Sequence, residues 1–91
     1  MRKNEIPLII PPAPIQPGSF GYDVYNMQMC IDKILKTKGK QTLHKHEPAH
    51  YGPMTEKRVR EFQDKYGLFV NGKYTPFTRL RIKEVLDGTL D

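Results

Sequence analysis

Tyr51-Gly52-Pro53-Met54-Thr55 is echoed 23 residues later by Tyr74-Thr75-Pro76-Phe77-Thr78. The apolar residues that follow also match. Val59 and Phe62 lie four and seven positions after Thr55, and Ile82 and Val85 lie four and seven after Thr78. Such spacing places each pair on one face of a helix. Tyr-x-Pro-x-Thr reads as a helix entrance: proline fixes φ in the turn, and the threonine hydroxyl can accept from an orphan amide of the first helical turn. Two copies with matched apolar positions predict two similar turn-helix units sharing one core.

Working outward, the first unit predicts a helix over 55–66 that stops at Gly67. Leu68, Phe69 and Val70 then lead into the tight turn Asn71-Gly72. The second unit predicts a helix over 78–87 with Ile82, Val85 and Leu86 inward and a stop near Gly88. Upstream, Gly18-Ser19-Phe20-Gly21 offers a turn. Val24, Met27, Ile31, Ile34 and Leu35 follow with helical spacing, Asp23 sits at the N-terminal end, and Lys36, Lys38 and Gly39 suit a C-terminal end. This predicts a helix over 22–38. Residues 39–50 are polar and carry three histidines and Pro48, which reads as a loop. Five of the eight prolines fall within residues 1–17, so that stretch reads as an extended Pro-rich linker ahead of a domain over 18–91. The expected fold is all-α, a compact three-helix bundle, with Val24, Met27, Ile31, Val59, Phe62, Ile82 and Val85 in one core.

Composition narrows the function. A chain of 91 residues is one small domain at most. Its net charge of +5 suits an anionic partner such as nucleic acid, an anionic membrane or the acidic polymers of a bacterial wall, and equally a plain soluble surface. The single cysteine, Cys30, excludes an intramolecular disulfide and reads as a buried thiol inside a helix. No secretion signal is visible, because Ile6-Pro7-Leu8-Ile9-Ile10 is short and broken by proline. No segment is apolar for long enough to span a bilayer. No nucleophile-base order, paired-carboxylate signal or phosphate loop appears, so no catalysis and no cofactor are expected. His44, His46 and His50, with Glu47 among them, have metal-like density, but their spacing matches no known signature and a solvated loop is the simpler reading.

Three segments together resemble the type 1 peptidoglycan-binding domain of bacterial and phage cell-wall hydrolases. Gly18-Ser19-x-Gly21-x-Asp23-Val24-x-x-Met27-Gln28 resembles that family's opening Gly-x-x-Gly-x-x-Val-x-x-Leu-Gln. Tyr51-Gly52-Pro53-x-Thr55-x-x-x-Val59-x-x-Phe62-Gln63-x-x-x-Gly67-Leu68 matches its central Phe/Tyr-Gly-x-x-Thr-x-x-Ala-Val-x-x-Phe-Gln-x-x-x-Gly-Leu. Val70-Asn71-Gly72-x-Tyr74-x-Pro76-x-Thr78 resembles its closing Val-Asp-Gly-x-x-Gly-x-x-Thr. Two departures stand out. Thr75 replaces the usual glycine, and Pro48-Ala49-His50 stands where an Asp-Gly pair is common.

The resemblance implies a non-catalytic three-helix module that anchors a lytic enzyme to peptidoglycan. It also implies a cell-wall hydrolase as partner and action at the cell wall, and the missing export signal resembles phage lysins made in the cytoplasm. Gln28 and Gln63 occupy matching helix positions, where they either bond a neighbouring turn or touch ligand. A peptidoglycan site would combine aromatic, amide and cationic groups. The candidates are Tyr51, Tyr74, the turn Asn71-Gly72-Lys73, and Arg58 and Arg81, each three positions after a repeat threonine. Core packing is the stronger reading of both tyrosines, since an aromatic before a helix cap packs back on that helix like a staple. Two other classes stay open. One is a protein-interaction or structural phage module on the same fold. The other is a nucleic-acid-binding module, disfavoured because the basic residues are spread over all helices.

Overall fold

The computed structural model describes residues 8–88 with the exception of residue 38. Four α-helices are present among the described residues: α1 (Tyr22–Leu35), α2 (Leu43–His46), α3 (Pro53–Lys65) and α4 (Pro76–Leu86). One 3-10 turn, Gly39–Gln41, precedes α2. No strand occurs among the described residues, only two isolated bridges. The all-α expectation is met, and the three long helices are those the repeat and the upstream pattern predict. Helix α1 touches α2, α3 and α4 and is the element around which the rest is arranged.

The core follows the apolar spacing. Val24, Met27 and Ile31 of α1, Val59 and Phe62 of α3 and Ile82 of α4 are buried together. Val85 is half-buried and packs against this cluster. Cys30 is also inside. Burial pushes its thiol up to about 11, and its Sγ donates to the Ile9 carbonyl at 3.4 Å. It is an inert structural thiol.

The helix ends correct the sequence reading in two places. α1 stops at Leu35, before Gly39, because Lys36 itself turns left-handed (φ 57°). Asp32 explains the stop. Its main-chain carbonyl accepts from the amides of Lys36 and Thr37, and its carboxylate accepts from the Thr37 hydroxyl at 2.7 Å. The same carboxylate reaches forward to the amides of Leu43, at 3.0 Å from both oxygens, and of His44. It thereby supplies the anionic cap at the start of α2. The stretch 39–50, read as a loop, therefore contains a 3-10 turn and a short helix, and Leu43 is carried into the core.

The Pro-rich segment read as a linker is in contact with the bundle over its described part. Ile15 is buried, and Leu8, Ile10 and Ala13 pack against the core. Ile15 and Tyr74 exchange both main-chain hydrogen bonds at 2.9 Å. Proline-rich backbone lacks N–H donors, but its carbonyls remain good acceptors. The Pro11 carbonyl uses that capacity twice, accepting from the Tyr74 hydroxyl at 2.7 Å and from Arg79 Nε at 3.1 Å. Residues 1–7 lie outside the described residues.

Candidate functional site

The repeat is a repeat of hydrogen bonding as well as sequence. Gln28 is fully buried on α1. Its Nε2 donates to the carbonyls of Glu47 (2.6 Å) and His50 (3.0 Å) and to Thr55 Oγ1 (3.1 Å), and its Oε1 accepts from the Ala49 amide. Gln63 on α3 does the same one unit later. Its Nε2 donates to the Lys73 carbonyl (2.9 Å), Asn71 Oδ1 (3.0 Å) and Thr78 Oγ1 (3.1 Å), and its Oε1 accepts from the amides of Asn71 and Gly72. Each glutamine thus pins the turn that precedes a repeat tyrosine to the threonine that follows it. A primary amide suits this task because it donates and accepts at once. Ala49 and Gly72 occupy equivalent places and both have positive φ, 57° and 75°. Ala49 therefore bears in the first unit a left-handed conformation that glycine adopts freely in the second.

The helix entrances differ from the sequence reading. With Pro53 and Pro76 at the first helical positions, the caps are Gly52 and Thr75, and Thr55 and Thr78 lie inside the first turn. In the second unit Thr75 Oγ1 accepts from the Thr78 amide at 3.2 Å. Thr75 has φ −95°, so this turn needs no glycine freedom, and the departure from the family pattern supplies a cap. Gly52 has no side chain to offer. Glu47 takes its place, accepting from the amides of Met54 (3.1 Å) and Thr55 (2.7 Å) and from the Thr55 hydroxyl (2.8 Å). A Cβ on Gly52 would lie 2.4 Å from Glu47 Oε2, so glycine here leaves room for the borrowed cap.

Burial alone would raise the Glu47 carboxyl. The Thr55 and Met54 amides, the Thr55 hydroxyl and the nearby His50 outweigh it, and the carboxyl is held below its ordinary value of 4.5. A carboxyl lowered on folding stabilises above its unfolded value and loses that contribution as pH falls through its folded value. Glu47→Gln is expected to lower stability at pH 7 by about 1 kcal/mol and to flatten the loss of stability below pH 4.5. Thermal melts of both proteins between pH 7 and 3 check this; parallel curves would remove Glu47 as the cap.

The structure divides the candidate site residues. Tyr51 is 1% exposed and Tyr74 0%, and both belong to the core. Tyr51 Oη donates to the Gly72 carbonyl at 2.6 Å, and Tyr74 Oη to that of Pro11. Burial raises both phenols. Neither presents an aromatic surface to a ligand; Tyr51 clasps the turn of the second unit and Tyr74 the N-terminal Pro-rich segment. Arg58 is buried, its guanidinium donating to the Gln41 carbonyl and side chain. Arg81 is half-buried and donates to the Tyr66 carbonyl and to Glu84. Gly72 is buried and Asn71 half-buried, its Oδ1 accepting from Gln63 and from the Lys73 amide. Only Lys73 of the set is exposed.

The three histidines do not converge. His44 Nδ1 lies 2.9 Å from Asp32 Oδ2, and the His50 ring stacks on Phe20. Exposed His46 borders a groove with Gly39, Gln41, Lys45 and Met54. Among the described residues no three His, Cys, Asp or Glu side chains are placed to hold a metal ion. No described helix is long and apolar enough to cross a membrane.

The sequence reading missed two surface features. A second groove, of about 330 Å³, is lined by Pro14, Ile15, Gln16, Ser19, Phe20, Asp23 and Val24. Several large apolar side chains also stand in solvent, among them Phe20, Tyr22, Phe69, Phe77 and Leu80. The sign that could have found them is apolar residues outside the helical stripe, such as Phe77 and Leu80.

Comparison with known proteins agrees with this architecture. The chain is similar to the crystal structure of the SleB N-terminal domain, with a TM-score of 0.65 and 27% identity, over 80% of this chain and 92% of that one. Comparison with curated proteins gave no match. The family described as "Putative peptidoglycan binding domain" matches residues 20–82. That span holds both repeat phrases, both glutamine clamps, all four helix entrances and three of the four described helices in full, and the chain belongs to the peptidoglycan-binding domain family.

Proposed function

We propose that this chain is a non-catalytic module that holds peptidoglycan and anchors a lytic enzyme at the bacterial wall, in the setting of a phage lysin. Family membership across both repeat units carries the reading. The chemistry supports it. Asp32 and Glu47, the carboxylates most engaged with the fold, both cap helix amides and are occupied there. The arginines of α4 argue against a groove-reading helix in nucleic acid, because Arg79 and Arg81 bond the Pro11 and Tyr66 carbonyls. The wall contact includes the Asn71-Gly72-Lys73 turn, where Gln63 fixes the backbone and Lys73 offers its ammonium to stem-peptide carboxylates. Tyr51 holds this turn from inside.

The test is sedimentation with purified sacculi. The wild type is expected to sediment and to release no soluble fragments from labelled sacculi. Lys73→Glu is expected to bind about three- to tenfold more weakly at low salt, since one exposed ion pair is worth roughly 0–1 kcal/mol and the new charge repels. Its melting temperature should stay nearly unchanged. Equal sedimentation of the two would remove the turn from the site. A second reading, a protein-interaction module, rests on Phe77 and Leu80, three apart on α4 and both exposed. No sedimentation of the wild type with any wall type would favour it.

A further inference from the structure

The exposed ring of Phe20 is a surface feature that core packing does not explain. It is 76% exposed, yet the backbone that carries it is tied down by hydrogen bonds. The segment that carries it is paired to the first repeat turn on both sides: Gly18 N donates to the Tyr51 carbonyl, Tyr51 N to that of Ser19, and Gly21 N to that of Ala49. The turn is fixed in turn by Gln28. One face of Phe20 lies on His50, with centroids 4.5 Å apart and planes 6° from parallel. The ring also borders the groove of about 330 Å³, whose other polar side chains are Gln16, Ser19 and Asp23.

We infer that this groove is a glycan subsite, which packs the apolar C–H face of an N-acetylhexosamine ring on Phe20. This rests on the wall-binding reading and names the part of the polymer bound. A sugar ring has an apolar face and a rim of hydroxyl and acetamido groups. The groove matches both, with an aromatic plate and an amide, a hydroxyl and a carboxylate around it. Charge selects between the polymer's two parts. Asp23 repels stem-peptide carboxylates but accepts from sugar hydroxyls, so the groove takes glycan and leaves the stem peptides to lysines elsewhere. The plate is pre-positioned by Gln28 and the paired backbone, so little ordering is needed on binding.

The experiment is an NMR titration of the intact chain with two probes, soluble glycan strands stripped of stem peptide by an amidase, and free stem peptide. Glycan is expected to shift the amides of Ser19, Phe20 and Asp23. Phe20→Ala should weaken glycan binding about tenfold or more, as loss of an aromatic anchor does, with its melting temperature held. Phe20→Trp should bind within about threefold of the wild type, since the aromatic face is kept. Because stacking is not an ion pair, the effect should persist in high salt, unlike that of Lys73→Glu. Equal glycan binding by wild type and Phe20→Ala, or groove shifts caused by stem peptide alone, would overturn the subsite. If the wild type still sediments with sacculi in that case, the wall-binding reading stands and only the subsite falls. If it sediments with none, both fall.

Discussion

Phe62→Ala is expected to leave the protein largely unfolded at 25 °C. Phe62 is fully buried at the centre of the core, and its ring lies 4.8 Å from that of Tyr66. Truncating a buried phenylalanine costs about 3–5 kcal/mol, from lost transfer energy and from the cavity left behind. A domain this size has a margin on the order of 3–5 kcal/mol, so one truncation removes most of it. A circular dichroism melt checks this. A transition matching the wild type would refute the assignment of Phe62 to the core.

The second large effect is expected at a polar residue. Gln63→Leu keeps the side chain's bulk but leaves the Asn71 and Gly72 amides, the Lys73 carbonyl and Asn71 Oδ1 without the partner they have now. Each buried group left unpaired costs about 1–3 kcal/mol; the turn is partly open to water, so a net loss of about 3 kcal/mol is expected. Gln63→Glu separates hydrogen bonding from bulk. An ionised carboxylate still accepts from the two amides but cannot donate to Lys73 O or Thr78 Oγ1. Burial beside a carbonyl favours its protonated form and raises its folded value. A carboxyl raised on folding is most favourable at low pH, and its contribution falls as pH rises through the window above its unfolded value. Gln63→Glu should therefore regain stability on acidification, the opposite slope to that contributed by Glu47. Melts from pH 7 to 4 that show no such recovery would exclude Nε2 donation as the source of the clamp's strength.

These two residues show what the sequence made legible. Phe62 was readable because its burial follows from local spacing, seven positions after Thr55 in one copy and mirrored by Val85 in the other. The repeat likewise placed the long helices and the turns. The position of the caps was misread because a proline at the first helical position moves the cap to the residue before it. Gly52 then has nothing to cap with, and its substitute Glu47 belongs to a different part of the chain. α2 was missed for the same reason: its cap, Asp32, is 11 residues upstream of Leu43. A phenol before a helix reads first as core packing, but it can also offer its ring or hydroxyl to a ligand, so local sequence does not decide for the tyrosines. The acceptor that decides for Tyr74 is the Pro11 carbonyl, 63 residues away. Proline-rich composition signals extended backbone, and it is silent on whether that backbone lies against a surface.

That last contact gives the protein a chemical gauge of its own integrity. The Cys30 thiol bonds the Ile9 carbonyl of the N-terminal segment, and its burial in the core pushes it up to about 11. The same segment is anchored through Pro11 and Ile15 to Tyr74 and Arg79, which belong to the opposite end of the chain. The family match begins at residue 20, and the segment over Cys30 lies ahead of it. A chain cut at that boundary would bare a thiol that is inert when the segment is docked. Alkylation rate at this one sulfur would then report, in any preparation, whether the two ends of the chain are still fastened together.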